Sequence, residues 1–119
     1  MNLDLDFLFS SATVNNESLV QRDVEWLDAA GNKATYQIYI VDEVSCAAAD
    51  RIHLGDPRYP ECGKLARVIA ERVRFSADGA SRLDAGKAAA LKDSMALALV
   101  AAVNKYDAEK FKAPEDAKS

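Results

Sequence analysis

The chain has little of what enzymes and metal sites are usually built from. Among its 119 residues there is one histidine, His53, and there are two cysteines, Cys46 and Cys62. A metal centre would have to draw on these and on carboxylates. Neither a Cys-x-x-Cys nor a His-Glu-x-x-His pattern surrounds them, so no zinc site is expected. A Cys–His nucleophilic pair fares no better. Cys46 and His53 fall on one predicted helix two turns apart, about 10 Å along its axis and beyond a direct hydrogen bond. Cys46 is expected as a small apolar residue and His53 as a surface or helix-end residue.

Glycine is scarce too, with five residues, and no glycine-rich phosphate loop can be assembled: Gly79 and Gly86 stand alone and Gly31 sits in a predicted turn. Basic charge is not in excess. Fifteen Lys+Arg against nineteen Asp+Glu give a formal charge of -4. That balance argues against nucleic-acid binding, which needs a net basic face, and gives no pull toward an anionic membrane. Long apolar runs are missing as well. The longest, Met95–Val103, is far short of the roughly 20 residues of a membrane span. The first ten residues carry Asp4 and Asp6 where an export signal would carry Lys or Arg. The expectation is a cytoplasmic protein with its cysteines as thiols, and without cofactor, metal, nucleic acid or membrane as a partner.

What is present is a soluble globular composition, half hydrophobic and 29% charged. Val20–Asp28 alternates, with Val24 and Trp26 on one face and Asp23 and Glu25 on the other. Ala34–Val41 alternates again, with Tyr36, Ile38 and Ile40 opposed to Thr35, Gln37 and Tyr39. The loop between them holds Gly31 and Asn32 for positive φ, so the two runs predict an antiparallel hairpin. Asp23 and Glu25 could pair for acid–base work, yet such a pair more often forms the solvated face of a hairpin, and no second wall of a pocket is evident.

The period then changes. Val44, Ala48 and Ile52 recur behind Asp42 and Glu43, predicting a helix that stops near Gly55. The breaker-rich run Gly55–Pro60 follows. A second helix from about Glu61 would place Leu65, Val68, Ile69 and Val73 on one stripe, with Arg67, Glu71, Arg72 and Arg74 mostly toward solvent. Ser76–Gly79 reads as a tight turn between two short extended arms, Val73–Phe75 and Ala80–Leu83. Asp84 suits the N-cap of a brief helix over 85–91, and Asp93 or Ser94 the cap of a last helix to about Tyr106. The reading is one α+β domain over residues 1–106, an N-terminal antiparallel β-hairpin followed by three to four α-helices, with residues 107–119 as a flexible polar tail.

Two segments point to association. In the last helix Leu91, Met95, Ala98, Leu99, Ala102 and Tyr106 form one stripe, and Leu97, Val100, Ala101 and Val103 widen it almost all round. Such a helix is either wrapped by its own domain or shows a face to a partner. Near the N-terminus Leu3, Leu5, Phe7 and Phe9 share a face if extended, whereas Leu5, Leu8 and Phe9 cluster if helical. That segment docks on its own core or on another chain. The candidate partner-binding or self-association residues are therefore Met95, Leu97, Leu99, Val100, Val103, Tyr106, Leu5, Phe7 and Phe9.

The order of these features resembles the tail assembly chaperones of long-tailed bacteriophages and related prophages. Three stretches carry the likeness: the hairpin over Val20–Ile40, the helix and turn from Leu65 to Asp78-Gly79, and Leu83–Tyr106 with its Arg82-Leu83-Asp84 start and its run from Met95 through Val103 to Asn104. The resemblance implies a non-enzymatic protein that binds the tape measure protein, helps recruit tail tube subunits, works in the bacterial host cytoplasm and leaves before the particle is complete. The polar C-terminus would suit a joint to a frameshifted extension of the kind several members carry, and the apolar helix, together with avidity along a long client, leads to the expectation of a homo-oligomer. The family offers no fixed catalytic or ligand residues to transfer. A structural head–tail connector or tail-completion protein is the alternative, and a small thiol-dependent enzyme a third reading.

Overall fold

The computed structural model describes Asp6 and residues 17–110. Strands β1 (Leu19–Leu27) and β2 (Lys33–Val41) form the expected hairpin, in antiparallel register from Leu19↔Val41 to Leu27↔Lys33. The turn is set by Asp28, whose Oδ1 accepts from the N–H groups of Ala30 and Asn32, each at 2.9 Å. Gly31 supplies the left-handed residue at φ 85°, while among the described residues no non-glycine takes a positive φ. The positive φ expected at Asn32 is thus not needed, because the Asp28 carboxylate organises the loop instead.

Helix α1 (Cys46–His53) begins later than Asp42 and Glu43 suggest. Ser45 is its cap, its Oγ accepting from Ala48 N–H at 3.2 Å. Gly55, at φ 117°, breaks the chain after it. Helix α2 (Lys64–Arg72) runs directly into β3 (Val73–Arg74), a two-residue strand that pairs antiparallel with β2 through Tyr39↔Arg74 and Ile40↔Val73. The sheet order is β1-β2-β3. Ser76–Gly79 turns as expected, with Gly79 N–H donating to the Ser76 carbonyl at 3.0 Å. The arm beyond it is not a strand, although Phe75 N–H donates to the Ser81 carbonyl at 2.8 Å. Asp84 caps α3 (Ala85–Ala89) through Lys87 N–H at 2.8 Å, and α4 (Asp93–Lys110) closes the described chain.

The even-numbered face of the hairpin is the inner one. Val24, Ile38 and Ile40 are buried there against Ile69 of α2 and Leu99 and Val103 of α4. Burying side chains of this size contributes roughly 1.5–3 kcal/mol each. α4 packs across β1, and α2 packs against α4, α3 and β2. The architecture is a single α+β domain, a three-stranded antiparallel sheet with four helices among the described residues.

Three sequence expectations are corrected in α2 and α4. The buried stripe of α2 is Ala66, Ile69, Ala70 and Glu71, while Leu65 is exposed. Glu71 and Arg74, expected toward solvent, are 4% and 1% exposed. Their charges are met by partners distant in sequence: Glu71 accepts from Arg51 at 2.8 and 3.1 Å, and Arg74 donates to Glu17 at 2.9 and 2.5 Å. Finally, α4 continues past Tyr106 to Lys110. Its last turn gains tertiary partners, as Asp107 takes two bonds from Arg72 and Lys110 reaches Asp42. Residues 111–119 of the predicted tail lie outside the described residues.

Candidate functional site

β1 has no partner strand on its outer side among the described residues. The ladder shows which groups face that edge. At one end Asp42 N–H donates to the Ser18 carbonyl at 2.8 Å, and at the other Asp28 N–H donates to the Asn32 carbonyl at 2.9 Å. Exchanging and non-exchanging pairs alternate along an antiparallel ladder. The even-numbered residues of β1 therefore bond to β2, and Gln21, Asp23 and Glu25 turn their backbone N–H and C=O groups to the open edge. Arg22 Nη1 meets the Gln21 carbonyl there at 2.9 Å.

α4 lies alongside this edge, and a groove of about 360 Å³ runs between them. Val24, Ala98, Ala101 and Ala102 line it with small apolar surface, which lets another backbone approach closely. One end is walled by Arg22, whose guanidinium lies 5.2 Å from the centre of the Tyr106 ring and 3.4 Å from Glu109 Oε1. Beyond the other end Trp26 Nε1 donates to Ser94 Oγ at 2.9 Å, tying the hairpin tip to the start of α4.

The Tyr106 end is fixed by a polar knot. The Tyr106 hydroxyl donates to the Asp42 carboxylate, which Lys110 Nζ also approaches at 3.0 Å. The Tyr106 hydrogen bond, with Lys110 beside it, holds the Asp42 carboxyl below its ordinary range. The same bond pushes the Tyr106 phenol up. On the solvent face of β1, Asp23 and Glu25 are exposed, and Glu25 reaches Lys33 across the hairpin at 3.1 Å. The mouth of the groove is therefore acidic beside the strand, with Lys105 on the helix side.

A second concavity, of about 410 Å³, gathers Arg51, Asp56, Arg58, Glu71, Arg82 and Lys87 among its lining. Most of its charges are already paired. Arg58 Nη2 lies 3.0 Å from Asp56 Oδ2 and holds that carboxyl below its ordinary range, Arg51 grips Glu71, and Arg82 donates to the Ala70 carbonyl at 2.8 Å. Arg51–Glu71 ties α1 to α2 and Arg82 ties the approach to α3 to α2, while the Asp56–Arg58 pair braces the Gly55–Pro60 run on itself. It is a structural tie, with its donors turned on the protein's own acceptors.

The structure separates the residues expected to face a partner. Leu99 and Val103 are 2% and 1% exposed and belong to the core, which corrects their assignment to a docking face. Met95, Val100 and Tyr106 are half-buried and pack against that core. Leu97 is exposed on α4. Leu5, Phe7 and Phe9 lie outside the described residues. The helix that looked apolar all round is wrapped on one side by its own domain, with Ala96 in the core, and Ala98, Ala101 and Ala102 line the groove. Sequence reasoning put Ala98 and Ala102 in the apolar stripe itself and Ala101 among the residues that widen it. Their small size beside a strand edge with no partner among the described residues was the signal, and it needs the third dimension to be seen.

Of the other candidates, Cys46 and His53 are exposed on α1, and Cys62 is half-buried with its thiol 3.4 Å from the Ala85 carbonyl. Among the described residues no group of three or more His, Cys, Asp and Glu side chains is placed to hold a metal ion. No helix of the described residues is long and apolar enough to cross a membrane. None of the protein-family models matches this chain, and neither do the curated proteins or the solved structures.

Proposed function

We propose that this chain is a non-enzymatic, polypeptide-binding assembly chaperone of a bacteriophage or prophage tail, acting in the host cytoplasm on the tape measure protein and tail tube subunits. The order of hairpin, helices and turn, which resembles that of the family, supports the client class. The observation that carries the binding role is the groove along β1. It combines backbone groups with no strand partner among the described residues, a lining of alanines and a charged rim, the combination a protein needs to hold another chain reversibly. The mode differs from the docking of a broad apolar helix face, because Leu99 and Val103 are consumed by the core. Shallow contacts of this kind are individually weak, and self-association would multiply them along a long client.

Co-expression with a tape measure protein from the same phage is the test, together with mass spectrometry of purified particles. A chaperone keeps the client soluble, co-purifies with it and is absent from the finished particle. Stoichiometric presence in the particle identifies the alternative, a head–tail connector or tail-completion protein. Failure to co-purify with the client contradicts the chaperone reading.

A further inference from the structure

We infer that the β1–α4 groove takes its client by strand addition, accepting an extended segment in which basic and apolar residues alternate. This rests on the polypeptide-binding role proposed above and specifies how that site works.

Hydrogen bonding sets the first requirement. Asp23 and Glu25 each aim one N–H and one C=O outward, whereas the Gln21 carbonyl is already met by Arg22. A helix has no spare backbone groups to offer this edge, because its own are bonded internally. An extended segment has them at the right spacing, and the accessible edge from Gln21 to Glu25 matches about five residues at roughly 3.3 Å each.

The second requirement comes from the two faces of the added strand. Successive side chains point to opposite sides. On one side a guest meets Val24, Ala98 and Ala101, where small or medium apolar groups fill the groove. On the other it lies beside the exposed carboxylate of Asp23 and that of Glu25, which Lys33 already approaches at 3.1 Å, so Asp23 is the main site where Lys or Arg of the guest finds a complement. The Asp23 carboxylate also opposes pairing of β1 with a second copy of itself in the register centred on Asp23, which would set it against its own copy. The edge is thus guarded against its own kind and open to a basic, alternating partner.

The probe is a capped synthetic peptide of alternating Lys and Val, titrated by calorimetry into the full chain. Two further forms carry N-methyl groups on all lysine amides or on all valine amides, and an acidic peptide replaces Lys by Glu. Strand addition uses every second amide of the guest, so one methylated form loses affinity by about tenfold or more while the other keeps it. The acidic peptide binds about tenfold more weakly or not at all. Asp23→Pro removes an outward N–H without touching the ladder to β2, and Ala101→Arg fills the groove from an exposed helix position. Each weakens the Lys–Val peptide by about tenfold, with circular dichroism reporting the fold. Equal binding of the two methylated forms, equal binding of the acidic peptide, or no binding at about millimolar concentration overturns the inference. If a tape measure protein still co-purifies while the peptide does not bind, strand addition fails and the chaperone role stands. If co-purification fails, the role itself falls.

Discussion

Arg74 and Glu17 lie 57 positions apart and meet through two hydrogen bonds of 2.9 and 2.5 Å, fastening the residues before β1 to the end of β3. The Arg74 guanidinium is almost wholly buried and also donates to the Ala70 and Val73 carbonyls. A buried cation without its counter-charge is expensive, whereas the half-exposed Glu17 is cheaply hydrated. The burden of the pair therefore falls on Arg74.

Glu17→Gln is accordingly expected to destabilise the fold by about 1–3 kcal/mol, the lower part of the range for broken buried pairs because Glu17 keeps contact with water. The Arg74 hydrogen bond lowers the Glu17 carboxyl below its ordinary 4.5. Its contribution is present above that value and disappears as the pH falls through the lowered one. Urea unfolding of both proteins, at neutral pH and in acid, should show the gap narrowing toward low pH. An unchanged gap contradicts the assignment.

The Asp42–Tyr106 contact acts on both ends of the pH scale. The Asp42 carboxyl is held below 3.8, so its share of stability is present above that value and is lost as the pH falls through the lowered one. The Tyr106 phenol is raised above 10.0, so its share is present below that value and is lost as the pH climbs through the raised one. Tyr106→Phe should cost about 1 kcal/mol near neutrality and flatten both arms of a Tm-versus-pH curve. Parallel curves for the two proteins would show that the bond does not form in solution.

Two neighbouring leucines of α4 should respond oppositely to the same change. Leu99→Asp buries a charge among Ile38, Ile69 and Val103 and is expected to unfold the domain. Leu97→Asp, at a position 49% exposed, should alter stability by no more than about 0.5 kcal/mol. Circular dichroism with thermal melting distinguishes them. A folded Leu99→Asp protein would place that residue on a free surface and not in the core.

The hairpin was legible because alternation of Val24, Trp26, Ile38 and Ile40 with polar neighbours leaves one buried face, and a one-residue slip would expose it. The Asp84 cap was legible for a similar reason, since it depends on local backbone geometry alone. β3 was legible only as the short extended arm over Val73–Phe75; its pairing with β2 was not, as two residues carry no period, and Val73 fits a helical stripe as well as a strand. Glu71 and Arg74 read as solvent-facing because charge is normally outside. Their partners, Arg51 and Glu17, are set by chain folding that no local pattern encodes. The groove was illegible for the same cause: Ala98 and Ala101 acquire meaning only beside the outer edge of β1.

Hydrogen exchange at single-residue resolution tests the central claim, that the outer edge of β1 is where another chain is held. In the protein alone, the amides of Asp23 and Glu25 should exchange quickly, while those of Arg22, Val24 and Trp26, bonded to β2, exchange slowly. With the Lys–Val peptide or a co-purified client bound, Asp23 and Glu25 should become protected along with their even-numbered neighbours. Protection that appears elsewhere on the molecule, with these two amides still exchanging as in the free protein, would contradict the account.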